Sequence, residues 1–259
     1  MMSRIVAVAS PTPSTAPRTT LRRRDTFIAP LLASCLVRPA RASLVDETSA
    51  TRVFAETSKS VARVAVVAPN GEISGRGSGV VWYIDDAYAY IATNAHCVVK
   101  GNENEKLVVM LASGAAAALD KDASYFVNRS TDIGFLKVPI GSFGADAPVA
   151  AKIGTSDNLR VGQSAFSLGF EEDGAAVLSS GTINGLKRKI PSRNGVGLKG
   201  LIQTDAQVTE FTSGGALCDS AGRVIGLNVV AYAGSQKRDP QGVNFAIPID
   251  AVRLAAEQM

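Results

Sequence analysis

The chain contains few of the residues from which metal sites and disulfide frameworks are built. Its 259 residues include one histidine, His96, and three cysteines, Cys35, Cys97 and Cys218. So few nitrogen and sulfur ligands, widely separated, cannot form a metal-binding cluster, and we expect no metal ion and no cofactor. The cysteines show no paired spacing, which predicts that Cys97 and Cys218 are free, buried thiols; a redox-sensitive pair is the alternative.

Acidic residues are scarce and long apolar runs are absent in the N-terminal part of the chain. Residues 1–20 have no Asp or Glu and are rich in Ser, Thr, Pro and Ala, a composition typical of an organelle transit peptide. Arginines at 22–24 precede the apolar segment 26–37, which is too short to span a bilayer, since spanning takes about 20 residues. Ala40-Arg41-Ala42 then has the A-x-A form of a cleavage site.

Residues 1–42 are therefore predicted to be a leader rather than part of the fold. They resemble the bipartite leaders that carry proteins into chloroplasts and then, through a twin-arginine signal, into the thylakoid lumen, which implies a mature chain starting near Ser43. A bacterial export signal and an uncleaved disordered tail are the alternatives. The leader holds seven arginines and one acid, whereas the rest holds 20 basic and 22 acidic residues, so the formal charge of +4 gives little support for nucleic-acid binding.

Short apolar segments separated by Gly, Asn, Asp and Ser make up most of the chain after residue 60. Segments of this kind predict an all-β barrel or sandwich, with a Gly-, Ala- and Pro-rich crossing at 141–151 between halves at about 61–140 and 152–248. Helices are predicted at 46–60 and 250–258. The predicted strands are 61–68, 79–84, 87–93, 106–111, 115–120 and 133–138 in the first half and 164–169, 175–183, 200–205, 216–218, 224–231 and 242–247 in the second.

Three separate stretches carry the residues of a nucleophilic site. His96 follows an alternating apolar run, Asp132 opens an apolar strand, and Ser213 precedes two glycines that allow a tight turn. A serine hydroxyl needs a base within hydrogen-bond reach, and the base needs a carboxylate to orient it. The order His, Asp, Ser is that of chymotrypsin-like proteases. We therefore predict that His96, Asp132 and Ser213 form a catalytic triad.

The sequences around these residues resemble those of the Deg/HtrA serine proteases. The matching blocks are Thr93-Asn94-Ala95-His96, Asp132-Ile133-Gly134-Phe135-Leu136-Lys137, and 203–217, which opens Gln203-Thr204-Asp205-Ala206. The resemblance runs from about Thr48 to the C-terminus and implies a protease domain at 43–259. It implies two chymotrypsin-like, six-stranded antiparallel β-barrels with the active site in the cleft between them. Many relatives continue into PDZ domains; none is expected here.

The resemblance also implies an activity and further site residues. It implies a serine endopeptidase that degrades unfolded or damaged proteins in quality control, with the backbone N–H groups of Phe211 and Ser213 binding the oxyanion. Val208, Val230 and Phe245 match positions near the family's specificity pocket and imply a preference for Val, Ala or Ile before the cut. The alternative is that these three are ordinary core residues.

One departure from the family pattern leaves a second function open. Where relatives have N-P-G-N before the serine, this chain has Thr209-Glu210-Phe211-Thr212, and Ala216 replaces a proline. Phe211 thus stands where glycine supplies an oxyanion donor. A weakly active or inactive protease-fold scaffold or chaperone subunit of a hetero-oligomer is therefore the alternative to an active protease.

Partners are implied by the resemblance alone. They are unfolded protein or peptide substrates and a homo- or hetero-oligomer based on trimers, in which the segment 48–60 lies where relatives make contact. At most peripheral association with a membrane is expected. The stretch between Ile183 and Leu201 has several cations and no acid, and it is interpreted as a sensor loop or as a solvated mobile loop. Its cations are Lys187, Arg188, Lys189, Arg193 and Lys199.

Overall fold

Strands dominate the computed structural model, which describes residues 46–99, 104–119, 125–191, 197–230 and 242–259. The described residues belong to one compact unit, Ala42–Met259, and the predicted leader lies outside them. The strands are β1 (Val61–Val67), β2 (Ile73–Ile84), β3 (Tyr88–Asn94), β4 (Lys106–Leu111), β5 (Ala116–Leu119), β6 (Tyr125–Asn128), β7 (Ile133–Pro139), β8 (Ser164–Phe170), β9 (Ala176–Ile190), β10 (Leu198–Thr204), β11 (Ala216–Cys218), β12 (Val224–Val229) and β13 (Asn244–Pro248). The α-helices are α1 (Glu47–Thr57), α2 (Ala95–Val98) and α3 (Ile249–Ala256).

The first seven strands form one curled antiparallel sheet in the order β5-β4-β1-β2-β3-β7-β6. Valines dominate β1, and β-branched side chains pack well on the pleated surface of a strand. The core of this sheet includes Val64, Ile91, Leu107 and Leu136, all fully buried. Burial of a side chain of this size stabilises the fold by about 1.5–3 kcal/mol.

The remaining strands close into a barrel in the order β10-β13-β12-β11-β8-β9. All residues of β12 are buried, so its sequence is a continuous apolar run interrupted by Asn228. The Asn228 amide donates to Ser167 Oγ at 2.9 Å and to the Ala216 carbonyl at 3.0 Å. These bonds satisfy the buried amide N–H groups and tie β12 to β8 and β11.

A shared apolar core joins the sheet to the barrel. Val80, Ala92 and Phe135 from the sheet belong to the same buried cluster as Phe166 and Leu168 from the barrel. The predicted crossing at 141–151 begins within a 3-10 turn at Ile140–Phe143 and makes no further regular element. The site predicted between the two halves is thus held by side chains from both.

The two longer helices cover the outside of this core. Asp46 caps α1 by accepting hydrogen bonds from the N–H groups of Thr48 and Ser49, which have no partner within the helix. The apolar face of α3 buries Ile249 and Val252. Within the described segments, no helix is both long and apolar enough to cross a bilayer.

The all-β fold class and both longer helices are confirmed, and Cys97 and Cys218 are free, buried thiols as predicted. In detail, the N-terminal sheet has seven strands rather than six, and among the described residues its edge strands β5 and β6 do not pair with each other. The additional strand is β6, which pairs with β7 and has only four residues.

The prediction of a loop between Ile183 and Leu201 is wrong at both of its ends, and Lys199 lies in β10. Strand β9 continues to Ile190, and the cations Lys187, Arg188 and Lys189 lie within it as exposed residues. They are held there because β9 pairs with β10, with Ile190 opposite Leu198, both buried. A run of cations has low strand propensity, but this pairing prevails over it. Arg193 lies outside the described residues.

Candidate active site

Two glycines fix the turn on which Ser213 stands. Gly214 has φ +82°, which favours glycine, and a Cβ there would collide with the Ser78 carbonyl and the Thr93 hydroxyl. A Cβ on Gly215 would collide with the Leu168 carbonyl. The close approach of these backbones is why the serine is followed by two glycines. Ser213 itself is fully buried.

His96 lies on the short helix α2, directly after β3. Its ring Nδ1 is 2.8 Å from Asp132 Oδ2, and its backbone N–H donates to Asp132 Oδ1 at 3.0 Å. The other ring nitrogen, Nε2, is 3.2 Å from Ser213 Oγ. The three residues predicted from separate stretches thus meet in one hydrogen-bonded chain, with the geometry of a nucleophile, a base and an orienting carboxylate.

The backbone of Asp132 is left-handed, with φ 57°, a conformation that aspartate tolerates better than most residues. This turn directs the Asp132 carbonyl toward two donors, the Ala95 N–H at 3.1 Å and the Asn94 amide at 3.2 Å. The carboxylate meanwhile accepts from the backbone and ring of His96. Four hydrogen bonds therefore hold Asp132 against the end of β3 and the start of α2.

The pKa of His96 lies above its ordinary value of 6.5. Burial of the imidazole acts to lower the pKa, whereas the neighbouring Cys97 and the hydrogen bond to Asp132 raise it, and the raising effects are larger. A carboxylate at 2.8 Å stabilises the imidazolium that forms when the ring takes a proton. The ring is therefore a strong base in this site.

Backbone N–H groups of the turn at 209–213 donate hydrogen bonds within the turn itself. The Ser213 N–H donates to the Thr209 carbonyl at 3.0 Å. Thr209 and Thr212 support this turn, since the Thr209 N–H donates to Thr212 Oγ1 at 2.8 Å and the Thr212 N–H donates to Thr209 Oγ1 at 3.2 Å. A substrate oxyanion that uses the Ser213 N–H must therefore displace the Thr209 carbonyl.

Phe211 does not show the backbone strain expected at a glycine position. Among the described residues, the non-glycine residues with positive φ are Asp132 and Lys187. The Phe211 carbonyl accepts a hydrogen bond from Ser78 Oγ at 2.8 Å, and the Arg76 guanidinium lies 5.6 Å from the centre of its ring. Phe211 is thus accommodated in a conformation that places its carbonyl toward β2.

His96 and Asp132 border a cleft of about 610 Å³. Its lining includes His96, Asp132, Phe211 and Val230. Of the predicted pocket residues, Val230 therefore reaches the cleft, and its N–H lies 3.4 Å from Ser213 Oγ. Val208 and Phe245 are buried, and Phe245 packs in the core shared by the sheet and the barrel.

Sequence reasoning missed the contribution of Asn94. Its Oδ1 lies 2.9 Å from Ser213 Oγ, closer than His96 Nε2. The signal was present, because Asn94 stands two residues before His96 in a block that resembles the family pattern. No group of three or more His, Cys, Asp or Glu side chains within the described ranges is arranged to hold a metal ion.

The chain is similar in sequence to known proteins. Residues 77–227 match the family described as Trypsin-like peptidase domain. The chain is 36% identical over 188 residues to Protease Do-like 5, chloroplastic, of Arabidopsis thaliana, covering 71% of this chain and 56% of that protein. It is 32% identical over 228 residues to Protease Do-like 1, chloroplastic, of the same plant, covering 83% and 48% respectively. The chain thus spans about half the length of these curated relatives.

A solved structure described as the crystal structure of Deg5 has the same fold. It superposes with a TM-score of 0.63 at 31% identity, covering 81% of this chain and 94% of that chain. The chymotrypsin-like fold expected from the sequence is thereby confirmed.

Proposed function

Since the chain belongs to the trypsin-like peptidases, among the Deg/HtrA proteases, we propose that it is a serine endopeptidase that uses His96, Asp132 and Ser213. The observation that carries the proposal is the hydrogen-bonded chain of these three residues, with 2.8 Å from Asp132 to His96 and 3.2 Å from His96 to Ser213. Each distance lies within the reach that proton transfer and orientation require.

The proposed mechanism follows from the positions of the atoms. His96 Nε2 takes the proton of Ser213 Oγ as the oxygen attacks a peptide carbonyl, and Asp132 stabilises the imidazolium. His96 then protonates the leaving amine, and water hydrolyses the acyl-enzyme by the same base. The oxyanion is proposed to bind the N–H groups of Phe211 and Ser213, once the Thr209 carbonyl has moved aside.

The proposed substrates are unfolded or damaged proteins, and the proposed place is the thylakoid lumen of a chloroplast. The names of two relatives place those proteins in chloroplasts, and the leader predicted at residues 1–42 has the composition that a lumen protein needs. Val230 at the cleft supports a preference for a small apolar residue before the cut. A trimer-based oligomer is proposed from the family alone.

A second function is favoured by one observation. The Ser213 N–H is bonded to the Thr209 carbonyl, and Ser213 is fully buried, so the oxyanion site is closed in this conformation. A chain that kept this turn closed would fold and assemble like its relatives but cleave weakly. It would then act as a scaffold or chaperone subunit beside active partners.

The test is labelling with a fluorophosphonate and cleavage of unfolded casein, beside a Ser213→Ala variant, across acidic to alkaline pH. Labelling and cleavage that vanish in the variant would support the endopeptidase. A folded protein that neither labels nor cleaves under any of these conditions would refute it and support the scaffold.

A further inference from the structure

The Ser213 hydroxyl has one proton to donate and two acceptors within reach. Ser213 Oγ lies 2.9 Å from Asn94 Oδ1 and 3.2 Å from His96 Nε2. An amide oxygen can only accept, whereas an imidazole nitrogen donates or accepts according to its protonation. In this structure the Ser213 hydroxyl therefore donates to Asn94 Oδ1, which is the nearer group and can only accept.

The other end of the Asn94 amide fixes its orientation. Its Nδ2 donates to the Asp132 carbonyl at 3.2 Å, so a reversed amide would set two oxygens against each other. Asn94 is fully buried at the end of β3, where water does not compete for its oxygen. The hydrogen bonds form a closed ring that runs from Asp132 to His96, Ser213, Asn94 and back to Asp132.

Building on the proposed peptidase function, we propose that Asn94 is a positioning residue that accepts the Ser213 hydroxyl proton and holds the nucleophile in a resting orientation. Attack on a substrate requires the O–H bond to rotate from Asn94 Oδ1 to His96 Nε2. The O–H bond then breaks, its proton passes to neutral Nε2, and the freed electron pair of Oγ forms the bond to the carbonyl carbon. Asn94 therefore sets the fraction of enzyme in which this transfer can begin.

The charged groups around His96 are the same with and without Asn94. Asp132 faces the ring from the start of β7, Arg76 faces the cleft from β2, and Arg129 and Glu210 line the same cleft. Cys97 adjoins the ring on α2. Because Asn94→Ala also removes the amide bond to the Asp132 carbonyl, a change in the pH profile is attributed to the serine hydroxyl only where Ser213→Ala in the Asn94→Ala background cancels it. Without Asn94 the hydroxyl donates to neutral Nε2, which lowers the His96 pKa.

The first experiment measures fluorophosphonate inactivation rates of the full chain. Asn94→Ala is expected to react about three- to tenfold faster at neutral pH, which is the effect of removing one competing hydrogen bond, and its rate should rise at lower pH than that of the wild type. Thr93→Val is the matched control, because Thr93 is a buried neighbour whose hydroxyl donates to the Ser78 carbonyl at 2.6 Å. It should show no acceleration. A folded Asn94→Ala variant that reacts no faster than the wild type would overturn the proposal.

The second experiment does not depend on catalysis. The chain has one histidine, so ¹⁵N-histidine protein prepared without a histidine tag gives NMR signals from His96 alone. With the ring neutral, Ser213→Ala made in the wild type should leave the Nε2 signal in place. The same substitution made in the Asn94→Ala variant should move the Nε2 signal. A wild-type signal that moves when Ser213 is replaced would refute the proposal, even if Asn94→Ala does not fold. Absence of labelling in the wild type would count against the peptidase function and not against the role of Asn94.

Discussion

Asp132→Asn removes one acceptor from the site while keeping the shape of the side chain. In the wild type both carboxylate oxygens are used, one by the His96 backbone N–H at 3.0 Å and one by the ring at 2.8 Å. Asparagine has one oxygen and one NH₂ group, so it can serve only one of these donors. The backbone N–H cannot change, whereas the ring can change tautomer. We therefore expect the ring to present a lone pair on Nδ1 to the new NH₂ and to carry its proton on Nε2.

A proton on Nε2 prevents His96 from taking the Ser213 proton. The expected loss in acylation rate is about 10⁴-fold, or roughly 5.5 kcal/mol in the barrier. The pKa of His96 should fall as well, because burial, which lowers it, is no longer opposed by the carboxylate. Both effects are measured on the same samples, by fluorophosphonate labelling and by NMR titration of the single histidine.

The matched control is Asp85→Asn, at the turn between β2 and β3. Asp85 also accepts two backbone N–H bonds, from Ala87 and Tyr88 at 2.8 and 2.7 Å, but it lies away from the cleft lining. It should leave labelling unchanged. If Asp132→Asn labelled within tenfold of the wild type, or left the His96 pKa unchanged, Asp132 would not be the residue that orients the base.

Three further outcomes are expected. Labelling of the wild type should rise with pH through the raised pKa of His96, because only the neutral ring accepts a proton. The His96–Asp132 pair stabilises the fold fully below the ordinary pKa of 6.5, and this stabilisation is lost as pH rises through the folded-state pKa, so an unfolding temperature that does not fall over this pH range would contradict the pairing. Gly77→Ala places a Cβ against Cys97 Sγ and the Ser213 carbonyl, so labelling should fall on the order of 10²-fold. Equal labelling in a folded variant would show that Cys97 and the serine turn move aside easily. Phe211→Gly should raise casein turnover about tenfold or more, because the turn can then release the Ser213 N–H; Phe211→Ala is the control that removes the ring but keeps the Cβ. A Phe211→Gly rate no higher than that of the wild type would show that Phe211 does not limit activity.

The position of the triad was predictable because its residues carry chemistry that few others in this chain can supply. With one histidine present, His96 was the sole imidazole base available to Ser213, and the order of the three residues selected the fold. Short apolar segments likewise predicted most strands. These features depend on residue type and spacing, which a sequence states directly.

The direction of the hydrogen bonds could not be predicted in the same way. Which acceptor takes the Ser213 proton depends on a difference of a few tenths of an ångström between Asn94 and His96. Whether the Ser213 N–H points outward or to Thr209 depends on the backbone of a turn with several donors close together. The length of β9 depended on its partner β10, which prevails over the low strand propensity of its cations. Each of these is a tertiary choice among alternatives that the residue types allow equally.

The two links of the triad rest on different parts of the structure. His96 and Asp132 are neighbours because β3 and β7 pair with Asn94 opposite Ile133, a register set within one sheet. Ser213 comes from the barrel and is joined to the sheet through Ser78, whose N–H donates to the Ser213 carbonyl at 2.7 Å. The hydroxyl of Ser78 donates to the Phe211 carbonyl at 2.8 Å and also accepts the N–H of Phe170 from β8, at 2.9 Å.

Ser78 therefore ties together the proposed nucleophile, the turn that carries the proposed oxyanion donors and the end of β8. Movement of the barrel or of this turn would alter the 3.2 Å contact between Ser213 and His96 while leaving the His96–Asp132 contact unchanged. Base strength is thus set within the sheet, whereas access of the base to the serine proton is set across the two halves. Under the proposed peptidase function, a chain with all three residues in place can for this reason still be held at rest, and cleavage would require a shift of the turn at 209–213.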